Sequence, residues 1–145
     1  MERIALFPGS FNPFTIGHAN IVSRALNLFD KVIIGIGVNS EKSQEDIANN
    51  LEKIKSAYKN EPRVKVITYT TLTADVVKEE NATCIIRGIR NDVDLKYESE
   101  IAQVNYTLFK VETVFLLASP ELKEISSSIV RELQKFGKNI TDLLP

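Results

Sequence analysis

The chain has 145 residues, with 18 Lys and Arg against 19 Asp and Glu, one histidine and one cysteine. A net charge of −1 and a pI near 5.9 provide no basic face for bulk binding to nucleic acid or an anionic membrane, so any anion must be met by a few placed cations. No apolar run reaches the roughly 18 residues of a membrane span, strand-like sequence begins at once so that no leader is expected, and the lone Cys84 excludes an internal disulfide. These features, with 43% hydrophobic and 26% charged residues, predict one cytoplasmic domain over residues 1–145.

Ile4-Ala5-Leu6-Phe7 reads as a first buried strand. It runs into Pro8-Gly9-Ser10-Phe11-Asn12-Pro13-Phe14-Thr15-Ile16-Gly17-His18. Gly9 offers a backbone conformation closed to other residues and no side chain to block a ligand, while Pro8 and Pro13 fix the path. Thr15 and His18 fall at or just inside a helix N-terminus, where free N–H groups and the macrodipole favour anions. That helix is expected over 17–29, with His18, Ile21, Val22, Ala25 and Phe29 on one face. Val32 to Val38 is continuously apolar and β-branched, as in a parallel strand covered on both faces, and its glycines signal a close approach.

A polar loop over 39–46 carries Lys42, and a helix over 47–58 is stopped by Asn60-Glu61-Pro62. A third strand over 64–67, a loop over 68–71 and a short helix over 74–80, with Val76 and Val77 inward, follow. The fourth strand, 82–86, contains Cys84, whose apolar setting suits core packing rather than a reactive thiol. Arg87-Gly88-Ile89-Arg90 comes off its carboxyl end, and Asn91, Asp92 and Asp94 offer N-caps to a helix reaching Phe109. Val93, Tyr97, Ile101, Val104 and Leu108 form that helix's apolar stripe. After a fifth strand over 113–117 and a loop over 118–124, Ser126-Ser127-Ser128 opens a helix with Ile129, Val130, Leu133 and Phe136 inward. Gly137 ends it, and 140–144 adds one more turn.

Five alternations of strand and helix predict a single Rossmann-like α/β domain, a five-stranded parallel sheet flanked by helices and joined by right-handed crossovers. Ligands of such sheets bind beyond the carboxyl ends of the strands. That rule gathers Ser10, Thr15 and His18, then Lys42, then Leu72 and Thr73, then Arg87 and Arg90, then Ser126 to Ser128. Cations, hydroxyls and helix starts on one edge make a phosphate site. His18 suits electrostatic stabilisation better than base catalysis, because phosphoryl and nucleotidyl transfers depend mostly on positioning and charge. Arg87 and Arg90 flank Gly88 so that both planar forks reach a bound group, although salt bridges to Asp92, Asp94 and Glu98 are the alternative. Glu98 could pair with Arg90 or accept hydrogen bonds from a ribose. Neither a Cys/His cluster, a Gly-x-x-x-x-Gly-Lys-Ser/Thr loop nor a Gly-x-Gly-x-x-Gly fingerprint occurs, so Mg²⁺ is expected only as a companion of the nucleotide.

Thr15-Ile16-Gly17-His18 has the form of the H/T-x-G-H motif of the nucleotidyltransferase superfamily. With Phe7 to Phe11, Ile86 to Arg90, Asp94, Tyr97-Glu98 and Ile125 to Ser128 with Arg131, essentially the whole chain resembles the bacterial phosphopantetheine adenylyltransferases. The resemblance implies transfer of AMP from ATP to 4′-phosphopantetheine, giving dephospho-coenzyme A and pyrophosphate by direct in-line attack. It implies His18 as transition-state stabiliser and Ser10, Lys42, Thr73 and Arg87 as acceptor-binding residues. It assigns ATP to Ser10, Phe11, His18, Gly88, Ile89, Arg90, Glu98, Leu122, Lys123, Glu124, Ile125, Ser126, Ser127 and Ser128. Mg²⁺, a homohexamer and competition by coenzyme A also follow from it. Ser10 stands where the family commonly has threonine, and Asn12 where it has aspartate; Ser-Phe-Asn-Pro is the wording of nicotinate-nucleotide adenylyltransferases. Residues 43–55 lack the family's usual Phe and Glu-Arg pattern. A relative acting on nicotinate mononucleotide or glycerol phosphate, and a nucleotide-binding module without turnover, are the competing readings.

Overall fold

A computed structural model describes residues 1–145. Its strands are β1 (Ile4–Gly9), β2 (Lys31–Gly37), β3 (Val64–Tyr69), β4 (Cys84–Ile89) and β5 (Thr113–Leu117). Its helices are α1 (Ile16–Ala25), α2 (Gln44–Ala57), α3 (Thr73–Glu79), α4 (Asp92–Phe109) and α5 (Ser127–Lys135), followed by a 3₁₀ turn over Thr141–Leu143. The strands form one parallel sheet in the order β3-β2-β1-β4-β5. No helix is long and apolar enough to cross a membrane.

The β-branched run of β2 divides its side chains between two cores, as its unbroken hydrophobicity requires. Val32, Ile34 and Ile36 pack with Ile21, Val22 and Ala25 of α1 and Ile54 of α2. Ile33 points to the opposite face, with Leu6, Ile85 and Ala74, Val76 and Val77 of α3. Cys84 is buried in the first core, and burial, with the nearby Glu112 charge, pushes its thiol up to about 11.

Several boundaries move in ways that matter for the site. Strand β3 runs on through Thr68 and Tyr69, and β4 through Arg87, Gly88 and Ile89, which therefore belong to strands rather than to the loops expected. Cross-strand pairing to β2 and β5 holds these residues extended, and local polarity does not override it. Helix α1 stops at Ala25, four residues short of the expected end, and α2 starts three residues early because the Ser43 hydroxyl accepts the Asp46 N–H. In α5 only Val130 is buried; Ile129 and Phe136, expected inward, are exposed. The stripe on α4 is likewise open, and Glu98 is that helix's one buried residue.

The chain order reverses between β1 and β4, the topological switch point where such sheets open a crevice. Strands β1 and β4 pair only at Ala5–Cys84 and Leu6–Ile85, whereas β1 stays paired to β2 as far as Gly9 and β4 to β5 as far as Ile89. The sheet therefore splits above Leu6. A cleft lined by Phe7, Gly9, Arg87 and Gly88 opens at that split.

Candidate active site

Thr15 caps α1 and is wholly buried. Its hydroxyl accepts the His18 N–H at 3.4 Å, and its own N–H donates to His18 Nδ1 at 2.9 Å. This is a capping box in which a histidine fills the place usually held by Glu or Gln. Because Nδ1 accepts that bond, the neutral ring carries its proton on Nε2. Phe11 and Phe14 pack on the imidazole with centroids at 5.0 and 5.3 Å, and Phe7 lies at 6.2 Å. Burial, reinforced by the charges of Arg87 and Arg90, lowers its pKa to about 4. His18 at neutral pH is an uncharged, oriented Nε2–H donor.

The turn before it is held by aromatic packing. Phe11 sits in the left-handed region at φ 46°, which costs about 1–2 kcal/mol for a residue with a Cβ. Its ring repays this against Phe7 at 5.1 Å and Phe14 at 5.2 Å. Gly9 is not the residue with special dihedrals, contrary to the sequence expectation. It supplies room, since a Cβ there would lie 2.9 Å from Phe11 Cζ. Gly17 does the same at the helix start, where a Cβ would meet the Ile125 carbonyl at 3.2 Å. The Gly of Thr-x-Gly-His thus lets the 122–126 segment lie directly on α1.

Arg87 spans the split in the sheet. Its Nε and Nη2 donate to the two Glu98 carboxylate oxygens at 2.9 and 2.8 Å, and its Nη1 donates to the Pro8 carbonyl. Glu98 pairs with Arg87 and not with Arg90, because Arg90 is taken by Asp94, at 2.9 Å through Nε. Burial works against the ionised Asp94, but hydrogen bonds from the side chain and backbone of Arg90 hold its carboxyl below the usual range. Both arginines are therefore pre-oriented by carboxylates rather than free.

The serines of α5 anchor the turn as well as face the cleft. Ser126 caps the helix by accepting the Ile129 N–H, Ser127 donates to the Pro13 carbonyl at 2.7 Å, and Ser128 accepts from Arg131. Arg131 also donates to the Asn12 carbonyl at 2.6 Å. Asn12 enters this network through its backbone.

These elements enclose a cleft of about 450 Å³ whose walls include Ser10, Phe11, His18, Gly88, Arg90, Glu98, Leu122, Ile125 and Ser126 to Ser128. A second cavity of about 220 Å³ lies beside it, lined by Thr73, Tyr69 and Asn105 among others; Gly9, Arg87, Tyr97 and Glu98 belong to both. Thr113 Oγ1, on its wall, is the one buried side-chain polar atom without a partner. Lys42, Lys123, Glu124 and Ile89 line neither cavity. Ile89 is buried and contributes its carbonyl to the Ala118 N–H. Sequence reasoning missed Asn20 and Ser119, which meet at 3.0 Å on the wall of the larger cleft. Ser119 follows β5 at the carboxyl edge and was open to the same topological rule; no pattern marks Asn20.

Residues 6–133 match the family model described as cytidylyltransferase-like. The chain is 47% identical to the phosphopantetheine adenylyltransferase of Phocaeicola vulgatus, over 99% of this chain and 95% of that protein. It is 48% identical to that of Porphyromonas gingivalis over the same shares, and 46% identical to that of Cytophaga hutchinsonii over 100% and 98%. The chain belongs to the phosphopantetheine adenylyltransferase family. Family membership agrees with the architecture, in which a buried Thr-x-Gly-His cap sits at the switch point of a parallel sheet.

Proposed function

We propose that the chain transfers an adenylyl group from ATP to the phosphate of 4′-phosphopantetheine, releasing pyrophosphate and forming dephospho-coenzyme A. The observation that carries this reading is a fixed, neutral Nε2–H donor on the wall of the larger of two adjoining cavities, with arginine on the wall they share. ATP occupies the larger cleft, between the α1 and α5 starts and the Gly88–Arg90 strand end. The acceptor occupies the smaller one, against Thr73 and Arg87.

A phosphate oxygen of the acceptor attacks the α-phosphorus, and the bond to the bridging oxygen of pyrophosphate breaks. His18 Nε2–H stabilises the added negative charge on the α-phosphate. A ring with its pKa near 4 donates without taking a proton, so no base is needed to activate an already ionised phosphate. Arg87 and Arg90 offset charge on the two substrates, and their carboxylate partners keep them in place without rearrangement. No cluster of three or more His, Cys, Asp or Glu side chains offers a metal cage. Mg²⁺ thus belongs to the reading as part of the ATP complex, screening the triphosphate charge.

The exposed apolar stripe of α4, from Val93 to Leu108, supports self-association, and a homohexamer is the state we propose. Coenzyme A carries both a pantetheine arm and an adenosine unit, so it competes for the same pair of cavities. A cytoplasmic setting, where ATP is at hand, accompanies this reading. The deciding experiment incubates the purified protein with Mg-ATP and 4′-phosphopantetheine and follows pyrophosphate, with the product identified by mass. Dephospho-coenzyme A is expected; release of pyrophosphate only with nicotinate mononucleotide or glycerol phosphate, or ATP binding without turnover, overturns the proposal.

A further inference from the structure

Tyr69 ends β3 on the same edge of the sheet as His18 and lines the smaller cavity. Its ring lies across the two glycines of the neighbouring strand β2. A Cβ at Gly35 would stand 3.2 Å from Tyr69 Cε1, and one at Gly37 would stand 3.5 Å from the tyrosine hydroxyl and 3.9 Å from the Gly9 carbonyl. The glycines form a trough that the ring fills. They hold the hydroxyl beside the last residue of β1, immediately before Ser10.

Packing alone would be met by phenylalanine, so the hydroxyl needs its own account. It lies 2.9 Å from Thr73 Oγ1. Two hydroxyls bring two protons, and the bond between them uses one. One O–H is left for a third group, in a cavity whose only cation is Arg87, already donating to Glu98 and to Pro8. An anion there needs neutral donors to complete its shell. Two other hydroxyls on this cavity have no partner: that of Thr113 belongs to the first residue of β5 and so lies towards the amino ends of the strands, away from His18, and that of Tyr97 is carried by a largely exposed side chain of α4. The Tyr69–Thr73 pair is at the carboxyl edge, where the reacting phosphate must be.

We infer that Tyr69 is a further acceptor-binding residue: its hydroxyl, paired with that of Thr73, gives the remaining O–H to the phosphate of the acceptor. The inference rests on the adenylyl-transfer reading, and wild-type turnover with 4′-phosphopantetheine tests that reading separately.

Tyr69→Phe removes the hydroxyl and keeps the ring in its trough. Because a hydrogen bond to a charged group is involved, the KM for 4′-phosphopantetheine is expected to rise about tenfold or more, with the KM for ATP and the melting temperature unchanged. Calorimetric binding of 4′-phosphopantetheine weakens in parallel, while binding of unphosphorylated pantetheine does not change. Thr73→Val gives a similar loss, and the double variant loses less than the product of the two, since the pair acts as one donor. The inference is overturned if wild type turns over 4′-phosphopantetheine while Tyr69→Phe keeps its KM within about twofold of wild type. It is equally overturned if the variant weakens pantetheine as much as its phosphate ester, which assigns the hydroxyl to the arm.

Discussion

Replacing His18 by glutamine separates its structural from its chemical role. Glutamine at the third helical position can still accept the Thr15 N–H, so the capping box survives. What is lost is the Nε2–H donor and the titration. The ring's pKa falls from 6.5 to about 4 in the folded chain. A depressed histidine pKa means that the unfolded chain binds more protons than the folded one between those values. Stability from this group is therefore full above 6.5 and is lost as pH falls towards 4. At 1.36 kcal/mol per unit, the complete loss is about 3 kcal/mol, of which about 2 falls between roughly pH 7 and pH 5. Urea unfolding at a series of pH values checks this. Wild type is expected to lose about 2 kcal/mol more than His18→Gln over that interval, whatever the variant's absolute stability. Turnover of the variant at neutral pH is expected to drop about 10²- to 10³-fold, as when an oriented donor to a transition state is removed. Parallel stability profiles for the two proteins would refute the assignment of a buried, neutral His18.

Three further changes test other parts of the site. Arg87→Ala leaves the Glu98 carboxylate buried without its partner; with Arg87 itself 31% exposed, a loss of about 2–3 kcal/mol in denaturant unfolding is expected, partly restored in the double variant with Glu98→Gln. Gly17→Ala pushes a methyl to 3.2 Å from the Ile125 carbonyl, and kcat/KM for ATP is expected to fall about tenfold through displacement of the 122–126 wall. Unchanged ATP kinetics would mean that this wall does not position the nucleotide. Val104→Glu places a charge on the exposed face of α4; light scattering is expected to report a smaller assembly than wild type, and an unchanged mass would put the subunit contact elsewhere.

How far the site could be read in advance differs from residue to residue. The turn and His18 were legible because Gly, Pro and a capping threonine constrain the backbone within a few positions. Arg87 was legible as a cation at a strand end, yet its partner was not. Its side chain bonds Pro8 and Glu98, 79 and 11 residues away, and which carboxylate it meets depends on where β1 and β4 diverge. Thr-Tyr-Thr-Thr is polar and short, which suggests a loop at Tyr69; pairing with β2 keeps Thr68 and Tyr69 in the sheet. The α5 pattern misled at Ile129 and Phe136, since apolar spacing identifies a face without saying what covers it.

The sequence by itself determined the alternation of strands and helices, the parallel sheet, the edge that carries the site and the family. These rest on local periodicity, on capping and turn residues, and on motifs that lie within a few residues of one another. Only the tertiary structure decided the strand order, the split between β1 and β4, the pairing of each arginine and the neutral state of His18. Those depend on burial and on contacts between segments far apart in the chain, where desolvation and geometry choose among partners that the sequence offers equally.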